Sequence, residues 1–180
     1  MFPVRAKMDL PVTRLVIHSV SVRGALGPLT VWVTNDDVAQ EENFSVMSLQ
    51  RIRNDSSHWT KIYENNHRAS RRNYVKLDFS NQPIILRPGQ RKVIYVHSAA
   101  NHDQAIVYDN SSSLRSTRYE DAFLSIHSGA AHLSPTPFDD DNRYVSRGTQ
   151  VPSLDETQNL QCFCDCLSWQ LGMGLALERV

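Results

Sequence analysis

The clearest pattern in the chain is Tyr74-Val75-Lys76-Leu77-Asp78-Phe79, in which polar and apolar side chains alternate. Successive side chains of a β-strand point to opposite faces of a sheet. The stretch therefore predicts a strand with Val75, Leu77 and Phe79 facing a core and the intervening residues facing solvent. A Pro-Gly pair in type II turn order follows at Pro88-Gly89.

Similar short stretches recur on both sides of this one. The predicted strands cover residues 12–18, 29–34, 59–63, 84–86, 92–97, 105–108 and 122–127. Residues 92–97 carry apolar side chains on both faces, which predicts a central strand. A parallel sheet would need crossover helices, and the sequence between these strands favours turns instead. We therefore expect an all-β, antiparallel β-sandwich, with a jelly-roll-like fold or an open barrel as alternatives.

The same alternation predicts which side chains form the core. Twelve apolar residues are expected to face inward: Leu15, Ile17, Leu29, Val31, Val33, Val75, Leu77, Phe79, Ile94, Val96, Leu124 and Ile126. Such residues give a domain of this size enough apolar surface to fold without a disulfide or a metal.

The strand pattern stops at Phe138. The sequence then continues with an acidic linker that starts at Asp139-Asp140-Asp141, and its three cysteines follow at Cys162, Cys164 and Cys166. That spacing lacks the Cys-x-x-Cys geometry of a zinc site. We expect a β-sandwich domain at 1–138 and, at 139–180, a polar linker with a poorly packed or partly helical tail. A segment that buries little cannot offset the entropy of ordering its backbone, so the tail should be dispensable for the fold.

Bulk properties narrow the class of protein. Charged residues make up 21% of the 180 residues and the formal net charge is zero, whereas a nucleic-acid binder usually has a basic excess. No stretch approaches the roughly 18 apolar residues of a membrane span, and the first residues lack the apolar region of a secretory signal. The first 160 residues contain no cysteine, which favours a reducing compartment. We expect a cytoplasmic protein without a cofactor, and neither a nucleic acid nor a membrane as its partner.

Three of the predicted strands end in a repeated pattern, in which a histidine is followed by a serine. The pattern occurs at Ile17-His18-Ser19, Val96-His97-Ser98 and Ile126-His127-Ser128. The last two copies extend to His102 and His132. Converging imidazoles could bind a transition metal, so His97, His102, His127 and His132 are candidate metal ligands. The alternative is that these histidines are structural and that serine begins a turn. The spacing predicts no stoichiometric zinc.

Other candidate binding residues are two tryptophans and two aspartates. Trp32 and Trp59 lie in predicted strands, where an exposed indole could stack on a sugar or on a partner side chain, or could pack under a covering loop. Asp103 and Asp109 lie near strand ends, where they could complete a metal site or form turns. The nucleophile elbow, the dinucleotide-binding glycine motif and the P-loop are all missing from the sequence.

Several of these stretches resemble an uncharacterised β domain of algal proteins, diatoms especially. The resemblance rests on residues 93–98, 105–110 and 126–132 and covers residues 2–138. It implies a β fold, but no activity and no site residues. Members of that group continue past Pro-Phe with an aromatic, Arg-containing closing strand, whereas here the acidic linker follows Pro137-Phe138. A shifted reading frame or a retained intron would explain this change.

These observations favour a non-catalytic recognition module that binds a protein or a glycan through its loops and one sheet face. One alternative is a metal-dependent enzyme built on the strand-end histidines. The other is a structural module of a larger assembly.

Overall fold

The computed structural model describes residues 1–35, 49, 52–100, 105–107, 117–127, 129–132 and 134–139, which form an antiparallel β-sandwich. This result confirms the predicted fold class. One layer, the main sheet, contains in spatial order β5 (Trp59–His67), β4 (Gly27–Thr34), β8 (Arg91–Ser98), β1 (Phe2–Ala6), β10 (Leu124–His127) and β9 (Thr117–Glu120). The second layer pairs β2 (Leu15–Ile17) with β7 (Ile84–Leu86), and β3 (Ser19–Gly24) with β6 (Ser70–Asp78).

Strand β1 lies inside the main sheet, and the sequence analysis missed it. Phe2 pairs with Ile94 of β8, and Val4 pairs with Ile126 of β10, both antiparallel. Its side chains alternate between the two faces of the sheet, with Phe2, Val4 and Ala6 in the core. Its proline made it a poor strand candidate, because proline cannot donate a ladder hydrogen bond.

A bent ribbon joins the two layers. β3 and β4 are separated only by residues 25–26, and β5 and β6 only by residues 68–69, so both strands of the ribbon cross the corner together. Leu26 and Gly27 have positive φ angles of 49° and 73° at the bend. Residues 64–72, which lie between two predicted strands where the sequence favours a turn, are therefore mostly strand. They are polar because the ribbon leaves the core at this corner and most of these side chains are exposed.

The predicted strand at 105–108 is only partly described. Residues 105–107 are not in a strand, but they run beside the corner through two backbone hydrogen bonds. The N–H of Leu26 donates to the carbonyl of Ala105 at 2.8 Å, and the N–H of Val107 donates to the carbonyl of Arg23 at 2.9 Å.

The core lies between the main sheet and the second layer. Ten of the twelve predicted core residues are buried, and Val75 and Val96 are partly buried against the same cluster. Further buried members that the sequence analysis did not single out are Phe2, Val4, Ala6, Val20, Leu26, Ile84 and Leu86. The prediction that β8 is central is also confirmed, because Val93, Ile94 and Tyr95 are all buried on its two faces.

The outer face of the main sheet is covered as well. Leu49 and Ile52 are helical and buried, and the N–H of Arg53 donates to the carbonyl of Leu49 at 3.1 Å. A 3₁₀ turn at Ser56–His58 follows, capped by the Asp55 carboxylate. Within the described ranges, no helix has the length and apolar character needed to cross a membrane.

The Leu77→Ala variant tests this core. Leu77 is fully buried between the layers, so its truncation should lower the free energy of unfolding by about 2–5 kcal/mol. The neighbouring variant Lys76→Ala is the control, because Lys76 is exposed on the same strand and its ion pair with Asp78 lies at the surface. Denaturant melts measure both values. A loss below about 0.5 kcal/mol for Leu77→Ala would place Leu77 outside the core.

Candidate functional site

An aromatic cluster covers the outer face of the main sheet at one end. Tyr95 of β8 lies at its centre and is 1% exposed. The Tyr95 ring lies 5.8 Å from the ring of Trp59 and 5.4 Å from the ring of Phe138, measured between centroids. Phe138 also meets Trp32 edge-on at 5.0 Å. The end of the predicted domain is therefore packed against the sheet through Ser134 and Phe138.

Both tryptophans are engaged in this cluster. Trp59 is 5% exposed, and its indole N–H donates to the carbonyl of Ile52 at 2.9 Å. Trp32 is half-buried, its indole N–H donates to the Thr30 hydroxyl at 3.0 Å, and the Lys61 ammonium lies 5.6 Å from its ring centroid. These contacts hold the covering segments against the sheet.

The structure brings two of the four candidate metal ligands together. The rings of His97 and His132 lie 6.2 Å apart between centroids, beside Tyr95. His97 Nε2 is hydrogen-bonded to the carbonyl of Ser134 at 3.0 Å, and His132 Nδ1 to the Tyr95 hydroxyl at 2.8 Å. Among the described residues, no group of three His, Cys, Asp or Glu side chains is placed to hold a metal ion.

His127 lies apart from this pair. In the register of the sheet, Ile126 is level with Val4 and Val4 with Lys92, so His127 lies level with Val93. His97 is four residues farther along β8, roughly 13 Å at the usual rise per residue, and β1 separates the two strands. The three other candidates, His102, Asp103 and Asp109, lie outside the described residues.

Burial shifts the pKa values of the basic groups at this end of the sheet. It lowers the pKa values of His97 and His132 below the ordinary value of 6.5, and each is lowered further by a positive charge nearby. The amino group of Met1 donates to the carbonyl of Ala130 at 2.8 Å, and burial lowers its pKa to about 5. Asp139 acts in the opposite direction, because its carboxylate and backbone raise the pKa of His132.

A second surface, at the ribbon corner, was not predicted. Arg23 of β3 lies over the ring of Tyr74 of β6, with its guanidinium carbon 5.5 Å from the centroid. Val107 is bonded through its backbone to Arg23, so it lies beside this pair. We call Arg23, Arg72, Tyr74 and Val107 the corner surface. The sequence contained a signal for it, because Tyr74 stands on the polar face of the clearest strand.

Comparison with known proteins does not identify a family for this chain. No family model, no curated protein and no solved structure matches the chain. The resemblance to the algal β domain therefore stays an expectation.

The histidine environment predicts a pH dependence of stability. The unfolded chain takes up protons at His97 and His132 near pH 6.5 and at the Met1 amine near pH 8. In the folded chain the pKa values of these groups are lower, so the same protons bind only at lower pH. Stability should therefore be fully present above pH 8 and decrease as the pH falls towards 5. Asp78 stays ionised throughout, since hydrogen bonds from Ser80 lower its pKa to about 2. The expected result is a melting midpoint that falls by several degrees between these two pH values.

The His132→Gln variant should flatten this dependence. His58→Gln is the control for the loss of one histidine, because His58 lies in the 3₁₀ turn at Ser56–His58. Thermal melts across the pH range measure the slope. A wild-type midpoint that stays constant or rises on acidification would contradict the account of buried neutral imidazoles.

Proposed function

We propose that the protein is a non-catalytic recognition module that binds a protein partner through the corner surface. The observation that carries this proposal is the pairing of an exposed tyrosine with an arginine on a rigid two-stranded ribbon. Tyr74 is 39% exposed and Val107 is 37% exposed, although both belong to segments held by backbone hydrogen bonds. Tyrosine and arginine are enriched among the residues that dominate binding energy at protein interfaces.

The ribbon holds this surface in place. The register of β3 and β6 shifts between Val22 and Gly24, opposite the stretch that contains Tyr74. Such irregularities redirect side chains at the edges of sheets and next to binding sites. The aromatic ring is therefore presented by paired strands, which lowers the entropy lost when a partner orders it.

Charge indicates an acidic partner. Arg72 is exposed two residues before Tyr74, and Arg68 and Arg71 are exposed on the same ribbon. Guanidinium groups bind carboxylates through paired hydrogen bonds. The partner that fits is an acidic peptide segment with an apolar or aromatic side chain to pack on Tyr74 and Val107.

A protein partner accounts for the structure better than a glycan. Glycan binding needs open aromatic faces. Trp59 is buried, and Trp32 packs against Phe138. We further propose a cytoplasmic location, which the lack of cysteine in the first 160 residues supports.

The metal-dependent enzyme is the second candidate, and the closeness of His97 and His132 favours it. It needs a third ligand, and two of the four ring nitrogens already make hydrogen bonds within the fold. We expect no stoichiometric zinc. Native mass spectrometry decides between the two candidates. One tightly bound metal per chain, lost in His97→Ala, would favour the enzyme.

Peptide selection against the full chain tests the proposed function. Acidic peptides with an aromatic or aliphatic residue should be enriched, and Tyr74→Ala or Arg23→Ala should weaken them about tenfold or more. Ile85→Ala is the matched control, because Ile85 is 42% exposed on the same layer but away from the corner. Binding should survive in this control.

Two results would contradict the proposal. One is that the selected peptides lose affinity equally for the Tyr74→Ala and Ile85→Ala variants. The other is glycan binding that depends on Trp32, which a glycan array with the Trp32→Ala variant would detect. If no binding to either class is found, the protein is a structural module of a larger assembly instead.

A further inference from the structure

A serine lies beside the corner surface, where the ribbon turns from one layer to the other. Ser70 is the first residue of β6 and pairs with Gly24 of β3. Its hydroxyl donates a hydrogen bond to the carbonyl of Asn73 at 2.6 Å, and this bond lies at the surface. Ser70 is partly buried, but its neighbours Ala69 and Arg71 are both exposed. Another protein can therefore reach the segment that carries this hydroxyl.

The strand is irregular immediately after this serine. The register of β3 and β6 shifts there, so that residues 71–74 lie opposite Arg23 alone. Residues in such a bulge lack the ladder partners that hold a regular strand. The hydroxyl of Ser70 makes its hydrogen bond to Asn73 inside this bulge. That bond therefore helps to fix the segment that presents Tyr74.

Exposed arginines flank Ser70 on both sides. Arg68 precedes it by two residues, and Arg71 and Arg72 follow it directly. Among the serines that the structure describes, no other has an arginine within two residues on each side. Protein kinases select their substrates by such charge patterns. Guanidinium groups also bind phosphoryl oxygens through paired hydrogen bonds, so a phosphoryl group on Ser70 has cationic partners close by.

We propose that Ser70 is a phosphorylation site and that its modification switches off binding at the corner surface. The phosphoryl donor is a nucleoside triphosphate, used by a protein kinase that selects arginines on both sides of a serine. The Ser70 oxygen forms a bond to the terminal phosphorus, the bond from that phosphorus to the departing nucleoside diphosphate breaks, and a carboxylate of the kinase accepts the hydroxyl proton. The regulatory part rests on the proposed acidic partner, whereas the modification itself does not.

The phosphoryl group acts against an acidic partner in two ways. It carries a charge of about −1.5 to −2 at neutral pH, which offsets at least half of the summed charge of the three arginines. It also binds the guanidinium groups that the carboxylates of the partner would use. In addition, the modified oxygen has no proton to donate to the carbonyl of Asn73, so the bulge that presents Tyr74 loses its hydrogen bond.

The first experiment tests the modification without any binding partner. The folded full chain and a synthetic peptide of residues 64–76 are incubated with ATP and a kinase of this specificity, and tandem mass spectrometry locates the phosphoryl group. Both should be modified at Ser70. Arg68→Gln and Arg72→Gln should each slow the modification about tenfold or more. Arg87→Gln is the matched control, because it removes the same charge from an exposed position outside the corner. A folded chain that stays unmodified at Ser70 would overturn the proposal.

The second experiment measures the effect on binding. The full chain with phosphoserine incorporated at Ser70 is titrated with the acidic peptides that the unmodified chain selects. Phosphoserine should weaken their binding about tenfold or more. Ser70→Ala should weaken it less, because this variant loses the hydrogen bond to Asn73 but adds no charge. Equal affinities of the modified and unmodified chains would overturn the proposal.

Phosphorus NMR distinguishes failure of this proposal from failure of the proposed function. The arginines should hold the pKa of the phosphoserine below the ordinary value for that group. The pKa should return to that value when Arg71→Gln and Arg72→Gln are combined. If no acidic peptide binds, the proposed function fails, and a lowered pKa still supports Ser70 as a phosphorylation site. An ordinary pKa that the double variant leaves unchanged would overturn the proposal, whether or not peptides bind.

Discussion

The rest of the structure depends on the pairing of β1 between β8 and β10. These five residues lie between the two halves of the main sheet, and both of their backbone edges are hydrogen-bonded. Without them, β10 and β9 would have no connection to β8, β4 and β5. Phe2, Val4 and Ala6 also contribute to the core against the second layer. This short N-terminal strand thus joins the two halves into one sheet.

The same strand organises the outer face of the sheet. Beyond Phe2, the carbonyl of Met1 accepts from the N–H of Ala130 at 2.8 Å, which begins the covering segment that ends at Phe138. Gly129 is required at this point because a Cβ there would overlap the carbonyl oxygen of Met1. At the other end of β1, Arg5 meets Arg91. One strand therefore anchors the aromatic cluster at one end and pairs Arg5 with Arg91 at the other.

The periodicity of side chains made the sandwich and most of its core predictable. Residues that alternate between core and solvent, such as Leu77 and Lys76, reveal both the strand and its orientation. The polar corner at residues 64–72 was not predictable in this way, because its strands have few buried side chains to set a pattern. Strand β1 was missed for a different reason, since four of its five residues are buried but Pro3, which cannot donate a ladder hydrogen bond, made it a poor strand candidate.

The candidate sites depended more on the three-dimensional register than on local sequence. The repeated His-Ser pattern suggested a single histidine site, but the register separates His127 from His97 and His132. Arg5 and Arg91 are far apart in the chain, and only strand pairing makes them neighbours. The corner surface likewise depends on strand pairing, because the antiparallel register of β3 and β6 places Tyr74 under Arg23. Pairings across such sequence distances cannot be derived from one sequence alone.

Hydrogen exchange at the amides of β1 tests the central claim most directly. Chain termini usually exchange quickly unless they are fixed in a sheet. If β1 holds the two halves together, the amides of Val4, Arg5 and Ala6 should exchange as slowly as those of Ile94 and Tyr95 in β8, through global unfolding. Exchange of the β1 amides at the rate of an exposed turn, with β8 still protected, would show that the main sheet persists without its N-terminal strand and would contradict this account.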